Sequence, residues 1–78
     1  MATREELERA LTTMPNVDEA TVVGERSLIA TVVSGSFRDQ NEAQRQETVW
    51  RYLRRQFEEA ALKNIEFILT NTPEENAA

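Results

Sequence analysis

Asn41–Leu62, NEAQRQETVWRYLRRQFEEAAL, is the one long stretch of this chain whose period is unambiguous. Ala43, Trp50, Leu53, Phe57 and Ala61 recur at helical spacing, and Val49 and Ala60 widen the same stripe. Glu42, Glu47, Arg51, Arg54, Arg55, Glu58 and Glu59 fall on the opposite arc, where water solvates them. A helix with one apolar stripe is not stable alone and needs a sheet or another helix against that face. The spacing therefore predicts a helix over 41–62 that packs Trp50 and Phe57 inward.

Toward the N-terminus, Thr3-Arg4-Glu5-Glu6 has the form of a capping box. Leu7, Ala10, Leu11 and Met14 follow at i, i+3, i+4 and i+7, the stripe of a short amphipathic helix that Pro15 and Asn16 stop. Ala20–Val23 and Ser27–Ser34 then read with a period of two, joined by Gly24-Glu25-Arg26 as an antiparallel hairpin. Both faces of the hairpin carry apolar residues, so its register stays open. Ser34–Gln40 is a loop that Phe37 pins to the core, and either Asn41 or Asp39 caps the long helix.

Toward the C-terminus, Lys63-Asn64 ends the helix and Ile65–Thr70 (IEFILT) is a third strand. A strand, helix and strand in that order favour a right-handed crossover with the second and third strands parallel. Thr72-Pro73-Glu74-Glu75 is a helix-start signal with little chain after it. The expected architecture is α+β, with order α-β-β-α-β and a stub of a third helix. Two helices would cover one face of a three-stranded mixed sheet, in a single domain over 1–78.

Composition narrows the chemistry. There is no cysteine and no histidine, which excludes disulfides and the usual zinc sites. No apolar run approaches about 18 residues, the length that spans a bilayer. MATREELERA lacks the charged-then-apolar layout of a secretory signal, so the expected compartment is the cytoplasm. The formal charge is −5, from 14 acidic and 9 basic side chains, which disfavours a nonspecific polyanion binder. Five of the nine basic residues, Arg38, Arg45, Arg51, Arg54 and Arg55, nevertheless lie between 38 and 55. One reading is a solvated helix face laced by pairs such as Glu47–Arg51; the other is a surface for an anionic partner.

In its order of elements and in two motifs the chain resembles the BolA-like family, YrbA-type branch. The motifs are Arg45-Gln46-Glu47-Thr48-Val49-Trp50, opening the long helix, and Thr72-Pro73-Glu74-Glu75, directly after the last strand. The resemblance covers nearly the whole chain and implies an α-β-β-α-β-α fold similar to a class II KH domain. It also implies a small regulatory adaptor whose partner is a monothiol glutaredoxin, with a [2Fe–2S] cluster shared between the two, or a DNA-binding regulator. In the family a histidine follows the isoleucine that opens the last strand and ligates the cluster; this chain has Glu66 there. A second ligand lies in the family's hairpin loop, where Glu25-Arg26-Ser27 offers neither histidine nor cysteine. Carboxylates are poor substitutes on iron–sulfur centres, so the expectation is a retained scaffold without cluster ligation, cofactor or metal.

Three function classes follow from these residues. The first is an interaction module whose rim carries Arg38, Arg45, Gln46, Glu66, Thr72, Pro73 and Glu74. Gln46 falls within the apolar stripe, where its amide needs a backbone partner. The second is a KH-like nucleic-acid binder, supported only by Arg51, Arg54 and Arg55, since no Gly-x-x-Gly loop is present. The third, an enzyme, lacks any nucleophile paired with a base. Homodimerisation through the first or third strand is a further alternative, because one of them must be a sheet edge.

Overall fold

Helix α1 (Arg4–Thr12) opens on the capping box expected of it: Glu6 N–H donates to Thr3 Oγ1 at 3.1 Å, and Thr3 N–H donates to Glu6 Oε1 at 2.9 Å. The computed structural model describes residues 1–78. Leu7 and Leu11 of α1 are fully buried, and Met14 beyond its end is buried with them. Asn16 then takes a positive φ of 69° and turns the chain into the sheet.

Strand β1 (Glu19–Val23) pairs antiparallel with β2 (Leu28–Val33), Glu19 opposite Val33 and Val23 opposite Ile29. The turn between them depends on Gly24, whose φ is +107°; a Cβ there would lie 2.0 Å from the Ser27 carbonyl oxygen. This register sends Ala20, Val22, Leu28, Ala30 and Val32 to the buried side and Thr21, Val23, Ile29 and Thr31 to the other. Hydrophobic patterning left both faces available; the hairpin turn and the helices select one.

The Ser34–Gln40 segment is more ordered than a loop. Gly35–Asp39 forms a 3-10 turn that buries Phe37 to 1% exposure, deeper than either aromatic ring of the long helix. Helix α2 (Glu42–Gln56) follows, and of the two possible caps Asn41 is the one used, in a capping box with Gln44.

Helix α2 ends at Gln56, six residues before the expected Leu62. Phe57 and Glu58 are extended, and Glu59–Leu62 is a separate 3-10 turn. No proline or glycine causes this. Strand β3 (Ile65–Asn71) has 7 residues, about 23 Å at 3.3 Å each, and the 15 residues of α2 span about the same length at 1.5 Å each. A helix continued to Leu62 would overshoot the sheet by about 9 Å, and Ile65 could not start opposite Leu28. Unwinding also lets Leu62 enter the core and the Ala61 carbonyl accept from Ala2 N–H at 2.9 Å.

The apolar face of α2 is narrower than its sequence stripe. Val49 and Leu53 are fully buried, Trp50 and Phe57 are partly buried against the core, and Ala43 and Ala60 are exposed. Glu42 is exposed, as expected, and also accepts from Thr70 Oγ1 at 3.0 Å. One turn before Val49 the sheet-facing positions are Arg45 and Gln46, because α2 there overlies the margin of β3 rather than the core.

The sheet order is β1-β2-β3 with β2 and β3 parallel, as expected, while β1 and β3 are both edges. Each edge is capped by a helix side chain. Glu8 of α1 accepts from the Val22 N–H at 3.0 Å. On β3, Gln46 donates to the Ile68 carbonyl at 2.7 Å and Arg45 to the Thr70 carbonyl at 3.3 Å. Such caps oppose the strand pairing that would join two copies edge to edge. Helix α3 (Pro73–Ala77) closes the chain, Thr72 and Glu75 forming its capping box. No helix is long and apolar enough to cross a membrane.

Leu53, like Val49, is a fully buried residue of α2. Leu53→Ala is expected to lower unfolding free energy in urea by about 2–5 kcal/mol, through lost transfer energy and the cavity left behind.

Candidate interaction site

The sequence-predicted site residues separate into two ends of the sheet. Arg38, Arg45, Thr72, Pro73 and Glu74 gather where β2 and β3 finish and α2 begins. Glu66 does not join them. It lies near the start of β3, about 20 Å back along the strand from Thr72, since an extended chain advances about 3.3 Å per residue.

At the first end, Arg45 is the organising group. Its side chain is only 12% exposed. Nε donates to the carbonyls of Phe37 at 3.1 Å and Gln40 at 3.0 Å, and Nη1 donates to the Thr70 carbonyl and to Glu75 Oε1 at 2.9 Å. The guanidinium also lies 5.7 Å from the centre of the Phe37 ring. A planar fork with several donors can hold the 3-10 turn, the strand end and α3 at once, which a lysine could not. Arg45 therefore faces into the fold, whereas the sequence reading set it on a partner-facing rim.

Arg38 is different. It is about half exposed and makes a two-point ion pair with Glu74, its Nε donating to Glu74 Oε1 at 3.0 Å. Gly35 makes room for it: a Cβ there would lie 2.8 Å from Arg38 Nη1. The hydrogen bonds from Arg38 hold the Glu74 carboxyl below its ordinary range. The Glu75 carboxyl is lowered first by the backbone N–H of Thr72 and then by Arg45. Gln46 is half-buried and its amide is fully used. It donates to Ile68 O and to Glu42, and its oxygen accepts from Trp50 Nε1 at 3.0 Å.

At the other end, Leu28 N–H donates to the Asn64 carbonyl at 2.8 Å, which sets the hairpin turn Glu25-Arg26-Ser27 beside the start of β3 and Glu66. These are the positions at which the resemblance implies cluster ligands. The donors present are carboxylates and a hydroxyl, hard oxygens that do not suit an iron–sulfur centre. No group of three or more histidine, cysteine, aspartate or glutamate side chains is arranged to hold a metal ion. The residues do not fit the cluster.

Arg51, Arg54 and Arg55 are exposed on α2. Arg51 pairs with Glu47 at 3.1 Å, as their i,i+4 spacing predicts, while Arg54 and Arg55 make no salt bridge. Two features escaped the sequence reading. Glu75 is the residue that attaches α3 to Arg45, a long-range pair with no local signal. The second is the apolar side of the sheet that no helix covers, where Val23, Phe67 and Leu69 are 58%, 46% and 47% exposed. Its signal was present: in IEFILT, inward Ile65 and Ile68 leave Phe67 and Leu69 outward, and the chain has only two helices long enough to cover a face.

No protein-family model, curated protein or solved structure matches this chain.

Two outcomes follow at the α3 end. Arg45→Met is expected to cost about 2–3 kcal/mol of stability in urea unfolding, since it takes a donor from the Gln40 and Thr70 carbonyls and the partner from Glu75; Arg51→Met is expected to stay within about 0.5 kcal/mol. Glu74 and Glu75 titrate below their ordinary range when folded, so their contribution is complete above that range and lost as pH falls through the lowered values. Amide protection factors, which correct for the slowing of intrinsic exchange in acid, are expected to fall in α3 before they fall in β2 as the pH is lowered from about 7 to about 3, followed by NMR.

Proposed function

We propose that this chain is a small, non-catalytic, BolA-like interaction module that binds a protein partner such as a monothiol glutaredoxin without supplying [2Fe–2S] ligands. The observation that carries this reading is a convergence. The two motifs behind the resemblance, at 45–50 and 72–75, are thirty residues apart in Arg45 and Glu75 and meet in one ion pair at 2.9 Å. Motifs that join in space describe a structural unit, and that supports reading the matching order of elements as more than a coincidence of short patterns.

Within this reading Arg45 and Gln46 act as positioning residues. They fix the 3-10 turn and the end of β3, and so present Arg38, Pro73 and Glu74 to the partner. Glu66 belongs to a second patch at the hairpin end, where the partner would supply every soft donor to any cluster. The runner-up reading is a nucleic-acid-binding regulator using Arg51, Arg54 and Arg55; it is favoured only by the absence of carboxylate partners for Arg54 and Arg55. The net charge opposes it.

Calorimetric titration with a purified monothiol glutaredoxin tests the proposal. Wild type is expected to bind, and Arg38→Glu, which sets like charges against Glu74, to weaken binding by about tenfold, or about 1.4 kcal/mol. After reconstitution with iron and sulfide, Glu66→Ala is expected to leave the visible spectrum of the complex unchanged. No binding by wild type, or a spectrum that depends on Glu66, would refute it. Duplex DNA binding with a steep salt dependence, reduced by Arg54→Glu, would establish the runner-up instead.

A further inference from the structure

The face of the sheet opposite α1 and α2 is apolar and open. By register it carries the row Val23, Ile29, Phe67 and the row Thr21, Thr31, Leu69, with no charged side chain among them. Three of the four most exposed large hydrophobic residues of the chain lie in these two rows. Exposed apolar groups scattered singly need no account, but a contiguous set on a flat face marks an interaction surface.

The dimensions and charge of this face restrict its occupant. Three strands spaced about 4.8 Å and six residues at about 3.3 Å give a surface roughly 15 by 20 Å, or about 300 Å². A stable pair of globular partners needs roughly 800 Å² on each side, so the face is too small to hold a second copy of this chain by itself. Two copies would also each bring a net charge of −5. A strand added to the sheet is opposed by Glu8, Arg45 and Gln46, which occupy backbone groups on both edges. A single helix fits: it is about 10–12 Å across, and three to four turns cover about 20 Å. Two carboxylates without ion-pair partners, Glu19 at the start of β1 and Glu66 near the start of β3, stand at diagonally opposite corners of the sheet.

We infer that the open face receives one amphipathic helix of a protein partner, its apolar stripe on Val23, Ile29, Phe67 and Leu69 and its basic residues toward Glu19 and Glu66. The occupied domain has helices on both faces of the sheet, the arrangement that covers a mixed sheet fully. The inference rests on the reading of the chain as an interaction module, but not on the glutaredoxin.

The probe is a fluorescent peptide of about 14 residues with leucines on one helical face and lysines on the other, beside a counterpart with glutamates for lysines. Anisotropy measures affinity, and amide shifts in a ¹⁵N-labelled sample locate the contact. The leucine–lysine peptide is expected to bind wild type and shift Val23, Ile29, Phe67 and Leu69. Phe67→Asp is expected to weaken binding at least about tenfold, the size of a lost buried aromatic. Circular dichroism checks the fold, and Val23→Asp gives the same expected loss should Phe67→Asp unfold.

Both variants make the chain more acidic, so adsorption of the peptide by charge alone would tighten. Unchanged or tighter binding in both, equal binding of the glutamate peptide, shifts confined to α2, or no binding at all would overturn the inference. So would sedimentation showing a wild-type dimer that Phe67→Asp dissociates, which would give the face to a second copy. Glutaredoxin binding without peptide binding overturns this inference alone and leaves the proposed function standing.

Discussion

The guanidinium of Arg45 is the interaction on which the rest of the fold depends. One nearly buried cation donates to the carbonyls of Phe37, Gln40 and Thr70 and to the carboxylate of Glu75. These groups come from the 3-10 turn and its end before α2, the end of β3 and the last helix, segments that the Arg38–Glu74 pair and the Ser34–Asn71 backbone bond also tie together. A buried charge is costly unless it is fully hydrogen-bonded, and here the bonds that satisfy it also hold the segments together. The same cation faces the ring of Phe37, the largest fully buried side chain. Core packing and polar satisfaction thus meet at one residue.

A second constraint is length. A crossover helix must return the chain to the beginning of the next parallel strand, so helix and strand have to match in reach. That requirement ends α2 at Gln56 although Glu59-Ala60-Ala61-Leu62 has high helix propensity. Tertiary geometry outweighs local preference there because the alternative would separate β3 from β2 and forfeit the buried positions Leu62, Ile65 and Ile68.

The capped edges and the open face together decide how this domain can meet another molecule. Glu8 holds one backbone group of the β1 edge, and Arg45 and Gln46 hold two of the β3 edge, which opposes strand addition there. What remains exposed is a charged rim at the α3 end, organised by Arg38 and Glu74, and a flat apolar sheet surface. A cavity lined by Asp18, Gly35, Arg38 and Pro73 opens beside the rim, whereas the sheet surface is flat and apolar.

Much of this was legible locally. The capping boxes at Thr3, Asn41 and Thr72, the stop at Pro15 and Asn16, the hairpin around Gly24 and the element order all come from interactions within a few residues, so residue types alone determined them. The absence of histidine and cysteine is likewise a matter of composition, and it removes imidazole and thiolate donors. The inward turn of Arg45, the bond between Glu42 and Thr70, the end of α2, the depth of Phe37 and the separation of Glu66 from Arg38 were not legible. Each depends on groups distant in sequence, such as Thr70, Glu75 and Leu28, whose positions follow only from the sheet register. Short-range hydrogen bonds are written in adjacent letters; which face of a strand is buried, and which cation is enclosed, is decided only when the layers close on one another.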